Sequence, residues 1–216
     1  MVDDEQIVRD LLLVTLAMSI VAGIPQFTEV GRQATLDSQV QTIERFSGRA
    51  VTAEEYADME RRSHYGGYFA IVGSFIALPI FSLIFTAVYW VVFNTILGGA
   101  ASLKQVLTVV THSQVVAALG AAIGAPIQYL QGKMSAGGPF NLGALVPGLD
   151  ENSALATFLG FTSIFTIWGL VVTAIGLAVL YKRKSLNIGI GLVVAYVAIA
   201  YTLTSVFSSM FGGRAQ

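Results

Sequence analysis

The 216-residue chain contains no cysteine, which excludes disulfides, thiolate catalysis and Cys-ligated metal. Histidine occurs only at His64 and His112, on separate segments, so no metal-ligand spacing exists. Charge is scarce: Asp, Glu, Lys and Arg make up 12% of the residues, roughly half the share of a soluble domain. The net charge of -1, with no concentrated basic patch, argues against nucleic acid as a partner. Neither Ser74 nor Ser113 sits in a GxSxG elbow, and the Gly-Gly pairs at 98–99 and 137–138 lack the Lys and Ser/Thr of a phosphate-binding loop. The N-terminus, MVDDEQIVRD, is acidic and lacks the basic region of a cleaved signal peptide, so the first apolar run reads as a retained span.

What the chain has in abundance is apolar length. Hydrophobic residues make up 55% and the mean hydropathy is +0.71. No Asp, Glu, Lys or Arg occurs in 11–28, 65–103, 105–132, 152–181 or 185–213. A largely apolar run of about 18 residues or more is long enough to cross a bilayer as a helix. Lipid offers the backbone no hydrogen-bond partner, so such runs are expected to be helices. The expected fold is therefore all-α: a polytopic membrane protein with five transmembrane helices, over 8–25, 68–95, 105–131, 152–180 and 187–211. Residues 26–67 form a short helical extramembrane insert between spans one and two, and 1–216 reads as a single membrane domain.

The insert holds five arginines and seven carboxylates. Leu36, Val40 and Ile43 recur at helical spacing before a stop at Ser47-Gly48, and Thr52 and Glu55 have the spacing of a capping box. Glu54, Glu55, Asp58 and Glu60 interleave with Arg61 and Arg62, as on a solvated helix surface. Pro25 closes the first span, and Pro79 predicts a kink in the second. Tyr89 and Trp90 fit an interfacial aromatic belt. In the third span Gly120 and Gly124 form a GxxxG pair, with Ala117 and Ala121 repeating the spacing, a stripe that lets helix backbones approach closely. The Gly/Pro-rich segment 132–151 reads as a loop, dipping back toward the membrane at FNLGALV.

The third span also carries Thr111, His112, Ser113 and Gln114 in an otherwise apolar run. His112 lies eight residues beyond Lys104, about 12 Å along a helix that rises about 1.5 Å per residue. One reading is a polar intramembrane pathway lined by Asn94, Thr111, His112 and Gln114, since intramembrane polar groups are functional candidates. The other is interhelical hydrogen bonding; consecutive residues point all round a helix, which suits bonding better than a pathway.

Lys182, Arg183 and Lys184 lie in the tightest connection of the chain, and short Lys/Arg-rich loops stay cytoplasmic. These topology determinants predict a cytoplasmic N-terminus and an outward C-terminus. The raw count runs the other way, five basic residues inside against seven outside, but the outer ones are diluted along a longer segment.

The order of parts resembles a known family. YWVVFNTILGGAASLKQVLTVVTHSQVV, joining spans two and three, and WGLVVTAIGLAVLYKRKS, leading into the last span, are similar to the Yip (Ypt/Rab-interacting protein) membrane family, in its prokaryotic branch. The likeness covers 68–211 and rests on apolar pattern and small turns, not on a catalytic motif. It implies a cytoplasmic N-terminus and a non-enzymatic membrane factor. Eukaryotic members act with prenylated Rab-type GTPases in vesicle traffic; this chain lacks their long N-terminal cytosolic region and the acidic-apolar motif after span one, so GTPase binding is not carried over. The charged insert lies outside that shared pattern. Some prokaryotic relatives are linked to multi-component export systems as accessory subunits.

The expected function is that of an adaptor or accessory/assembly factor in the cell membrane. It would act through membrane lipids and a membrane-protein partner or a homo-oligomer, without cofactor, catalysis or nucleic acid. The alternative is a small channel, transporter or lipid-handling protein with a pathway around His112.

Overall fold

The computed structural model describes residues 4–132, 138–146, 148 and 153–211. Among these residues there are eight α-helices and no strand. They are α1 (Asp4–Gly23), α2 (Glu29–Ser47), α3 (Ala53–Ser63), α4 (Gly66–Trp90), α5 (Leu103–Gln131), α6 (Ala154–Phe161), α7 (Ile164–Tyr181) and α8 (Ser185–Phe211). Five stretches are long and apolar enough to cross a membrane: Glu5–Phe27, Gly66–Ile96, Leu103–Gln131, Ile164–Tyr181 and Ser185–Val206. The chain is an all-α polytopic membrane protein.

α5 is the centre of the bundle, packing on α1, α4 and α7; α1 also packs on α4, and α7 on α8. α1 and α4 run antiparallel, since Phe27 and Tyr68 meet edge to face with centroids 5.0 Å apart. At the opposite end the Arg183 guanidinium donates to Leu97 O at 2.7 Å, joining the α7–α8 connection to the α4–α5 turn. The α4–α5 and α7–α8 connections thus lie at one end of the bundle, with the start of α1. The main apolar core also sits there, built from Phe93, Val106, Ala174, Leu177, Ala178 and Ile188.

Local sequence explains most helix ends. α1 stops as an α-helix at Gly23, and a 3-10 turn (Ile24–Phe27) carries the chain through Pro25. Thr28 caps α2, accepting from Gly31 N, and Gly48 ends it in the left-handed region at φ 67°. Thr52 and Glu55 form the full capping box of α3. α4 continues through Pro79 as an α-helix and then widens into a π-helical turn, Val91–Ile96. Lys182 ends α7 at φ 52°, a left-handed position where glycine is the usual residue.

The run expected as one helix over 152–180 is two, α6 and α7, which meet at Thr162 and Ser163. Hydropathy does not register this break, because both sides are apolar. The physical reason is local. Ser163 and Thr166 cap α7 reciprocally, while the backbone at Thr162 and Ser163 is extended and pairs with the loop at Phe140–Leu142. Leu142 N donates to Thr162 O at 2.8 Å, and Ile164 N to Phe140 O at 3.1 Å. Part of the segment read as dipping back, FNLGALV, is thus bonded into the bundle.

α2 is not short: its 19 residues span about 28 Å at about 1.5 Å per residue. It packs on the 3-10 turn, α3 and α8, with Ala34 and Leu36 buried and Ile43 exposed. Gly31 permits the tight corner between α1 and α2. A Cβ there would lie 2.0 Å from Pro25 O, a backbone atom that cannot turn aside. Gly31→Ala is expected to destabilise the protein by about 1–3 kcal/mol, the usual range for overpacking. Thermal unfolding in detergent measures it, and an unchanged transition would refute the close approach.

α3 carries a pH-sensitive cap. Both Glu55 oxygens accept from Arg49, at 2.8 and 2.7 Å, and Thr52 N donates to Glu55 at 2.9 Å. The hydrogen bond from Arg49, followed by that from Thr52, lowers the Glu55 pKa from 4.5 to about 2. A depressed carboxylate stabilises the fold fully above its ordinary value and loses that contribution as pH falls through the folded one. The cap's contribution is thus complete above pH 4.5 and fades as pH falls toward about 2. A carboxyl NMR titration should place the Glu55 midpoint near the lower value; a midpoint near 4.5 would mean that the Arg49 pair does not persist in solution.

Candidate functional site

Most of the buried polar groups lie on α1, α4 and α5, where these helices meet; Thr162 and Thr173 lie beside and within α7. Thr15 and Ser19 on α1, Ser82 and Thr86 on α4, and Thr111 on α5 are each at most 1% exposed. In hydrocarbon a hydroxyl needs a partner, and most find one a turn back on their own helix. Ser19 donates to Thr15 O at 2.8 Å, Ser82 to Leu78 O at 2.7 Å and Thr86 to Ser82 O at 2.7 Å. The cross-helix bond comes from Gln114, whose Nε2 donates to Ser82 Oγ at 2.7 Å. The hydroxyls of Thr15 and Thr111 have no hydrogen-bond partner among the described residues.

The four residues grouped as a polar pathway are not brought together. Asn94 sits in the π-helical turn and clamps the α4–α5 connection: Nδ2 donates to Ala101 O at 2.6 Å, and Oδ1 accepts from Ala101 N at 3.3 Å. Trp90, expected in an interfacial belt, is half-buried against the core and donates from Nε1 to the same carbonyl at 3.0 Å. Thr111 is buried and Gln114 half-buried in the seam. His112 is exposed on the outer face of α5, with Nδ1 2.8 Å from Thr108 O. Consecutive residues of one helix face different neighbours, so the tetrad divides among seam, α7 side and outer surface.

The small-residue stripe of α5 has a different environment. Gly124 is buried, Gly120 and Ala121 are half-buried and Ala117 is exposed. All four line an open cleft of about 240 Å³, with Pro139, Phe140, Phe165 and Ser163 on the facing side. A Cβ on Gly120 would lie 2.5 Å from Phe165 Cγ, and one on Gly124 3.1 Å from Pro139 Cδ. The stripe therefore seats α7 and the 138–140 loop. The Phe140 and Phe165 rings meet edge to face at 5.4 Å. Sequence reading missed this role of the loop and the neighbouring contact between Thr162 Oγ1 and Tyr196 OH, at 3.0 Å. Ser163-x-x-Thr166 was the available signal, a capping pair inside an apolar run.

Lys182, Arg183 and Lys184 are exposed at the end of the bundle that also carries Lys104. In the insert Asp58 pairs with Arg61 and Glu29 with Arg32, on an exposed surface. Among the described residues no group of three or more His, Asp or Glu is placed to hold a metal ion.

These features define a helical membrane protein whose spans are joined by a hydroxyl–amide seam and by close contacts at small residues. The Yip1 domain model matches residues 8–207, and the chain belongs to that family. The match starts within the first span and its range includes the charged insert, so it is wider than the 68–211 likeness. No curated protein and no solved structure matches the chain.

A double-mutant cycle tests the seam. Gln114→Leu and Ser82→Ala should show a coupling of about 0.6 kcal/mol, and no more than about 1.7 kcal/mol, as for other intramembrane hydrogen bonds. Additive effects on thermal unfolding would show that the two side chains do not interact.

Proposed function

We propose that the protein is a non-enzymatic adaptor or accessory/assembly factor of the cell membrane, acting in membrane traffic or export through protein or lipid contacts. The observation that carries this reading is the Gln114–Ser82 bond: the polar amide deep in the central helix joins two helices instead of lining a route. The other residues that suggested a pathway bond to nearby carbonyls, Asn94 to Ala101 and His112 to Thr108. Membership of the Yip1 family supports a membrane role.

We also assign a cytoplasmic N-terminus and an outward C-terminus. Support comes from the shared bundle end of Lys104 and Lys182–Lys184, which concentrates positive charge in short connections. The 26–67 insert and the 138–146 loop would then face outward. Membrane lipids, with a membrane-protein partner or further copies of the chain, are the expected partners.

Native mass spectrometry of the protein in lipid discs drawn directly from its host membrane tests the reading. A stoichiometric second protein is the expected result. A chain carrying only lipid, with neither a second protein nor a second copy, would overturn it in favour of a small channel, transporter or lipid-handling protein.

A further inference from the structure

No Asp or Glu occurs in residues 61–149 or 152–216, so α4, α5, α7 and α8 carry no carboxylate. The end of the bundle where these helices are joined nevertheless holds Lys104, Lys182, Arg183 and Lys184, all exposed. Arg183 donates to Leu97 O at 2.7 Å, which sets the α7–α8 connection beside the α4–α5 turn. Among the described residues no carboxylate pairs with Lys182, Arg183 or Lys184. The start of α1 at the same end is acidic. But α1 packs on α4 and α5, whereas the triplet joins α7 to α8, and Asp10 is already held by Arg9. The positive charge here is therefore unbalanced.

The triplet is the whole connection: α7 ends at Tyr181 and α8 begins at Ser185. Both helices are long and apolar enough to be spans. The three cations thus lie where apolar helices leave the hydrocarbon, at the level of lipid headgroups. Val179 and Leu186, which flank the triplet, are 76% and 72% exposed. Lys182 also stands at φ 52°, the one non-glycine residue with positive φ among those described. Glycine would adopt this conformation without strain, so the lysine side chain is present at a cost to the fold.

We propose that this end of the bundle docks an anionic glycerophospholipid, its phosphate against Lys182, Arg183 and Lys184 and its chains against Val179 and Leu186. Charge complementarity selects the lipid class, because a zwitterionic headgroup brings no net charge to an unbalanced cationic site. A soluble acidic protein fits less well, since a three-residue connection projects no loop beyond the headgroups. The proposal goes beyond the adaptor reading and holds with or without a protein partner.

Native mass spectrometry of the purified full chain in detergent, titrated with phosphatidylglycerol or phosphatidylcholine of the same chains, tests it. Phosphatidylglycerol should bind more tightly. Lys182→Gly should weaken it about fivefold, the worth of one interfacial cation, and leave phosphatidylcholine unchanged. Its thermal unfolding without lipid should match or exceed the parent's, because glycine suits the turn. Lys184→Gln should lose the same factor without altering the helix end, while Arg62→Gln, an equal charge loss in the insert, should change nothing. Arg183 is kept, because it ties the two connections. Glycerol phosphate, the headgroup without chains, should not displace the lipid. Equal binding of the two lipids, undiminished binding in both lysine variants, an equal loss in Arg62→Gln, or displacement by glycerol phosphate would each overturn the proposal. So would an acidic protein that occupies the triplet in place of lipid. A chain that selects phosphatidylglycerol yet brings no second protein or copy from its host membrane would leave this proposal standing and remove the adaptor reading.

Discussion

The absence of hydrogen-bond partners in hydrocarbon governs this molecule more than any single contact. A polar group placed in a span costs free energy unless it is satisfied within the chain or by something bound to it, a cost that the buried Thr15 and Thr111 hydroxyls carry. Ser19, Ser82 and Thr86 meet the demand by bonding back to carbonyls of their own helices. Such bonds satisfy a hydroxyl but join nothing. Only a longer side chain reaches another helix, which is why the short hydroxyls of α1 and α4 permit close packing while Gln114 of α5 makes the cross-link to Ser82.

The same demand explains the two irregular regions. At the end of α4 the carbonyls of the π-helical turn accept from the connection that follows, Val92 O from Leu97 N at 3.0 Å and Phe93 O from Gly99 N at 2.8 Å, while Asn94 and Trp90 both close on Ala101 O. At the other irregular point, the break between α6 and α7 exposes the amides and carbonyls around Ser163. The 140–142 loop supplies their partners, with Asn141 and Ser163 forming an antiparallel bridge. Non-helical backbone is tolerated in such proteins where it is buried in protein, and here each segment satisfies the other.

Fold class was legible because hydropathy and charge spacing are properties of long segments. Caps at Gly48 and at Thr52–Glu55 were legible too, since these residues act on their own neighbours. The break at Thr162-Ser163 was not, because it depends on a loop some twenty residues away in sequence and lies between equally apolar flanks. The polar residues of α5 were legible as a set but not in their directions. Periodicity states that His112 diverges from Thr111 and Gln114; only packing reveals that α4 lies opposite Gln114 and that, among the described residues, His112 is left exposed. Small residues behaved similarly. Gly120 and Gly124 were recognisable as contact positions, whereas their occupants, an aromatic ring of α7 and a loop proline, were not.

The two ends of the bundle are therefore built on different principles. The end bearing Lys104 and Lys182 is closed by large side chains: Phe93 stacks on Tyr181 at 4.9 Å over a core in which Val106 and Leu177 are fully buried. Its connections are short and tied by Arg183. The opposite end is assembled from α2, α6 and the 138–146 loop, with a cleft of about 240 Å³ beside the glycine stripe. Close packing of large side chains makes the first end costly to open, because each buried ring or Leu side chain makes many van der Waals contacts that lipid chains replace poorly. The two ends are linked through α5, the span that touches α1, α4 and α7 directly.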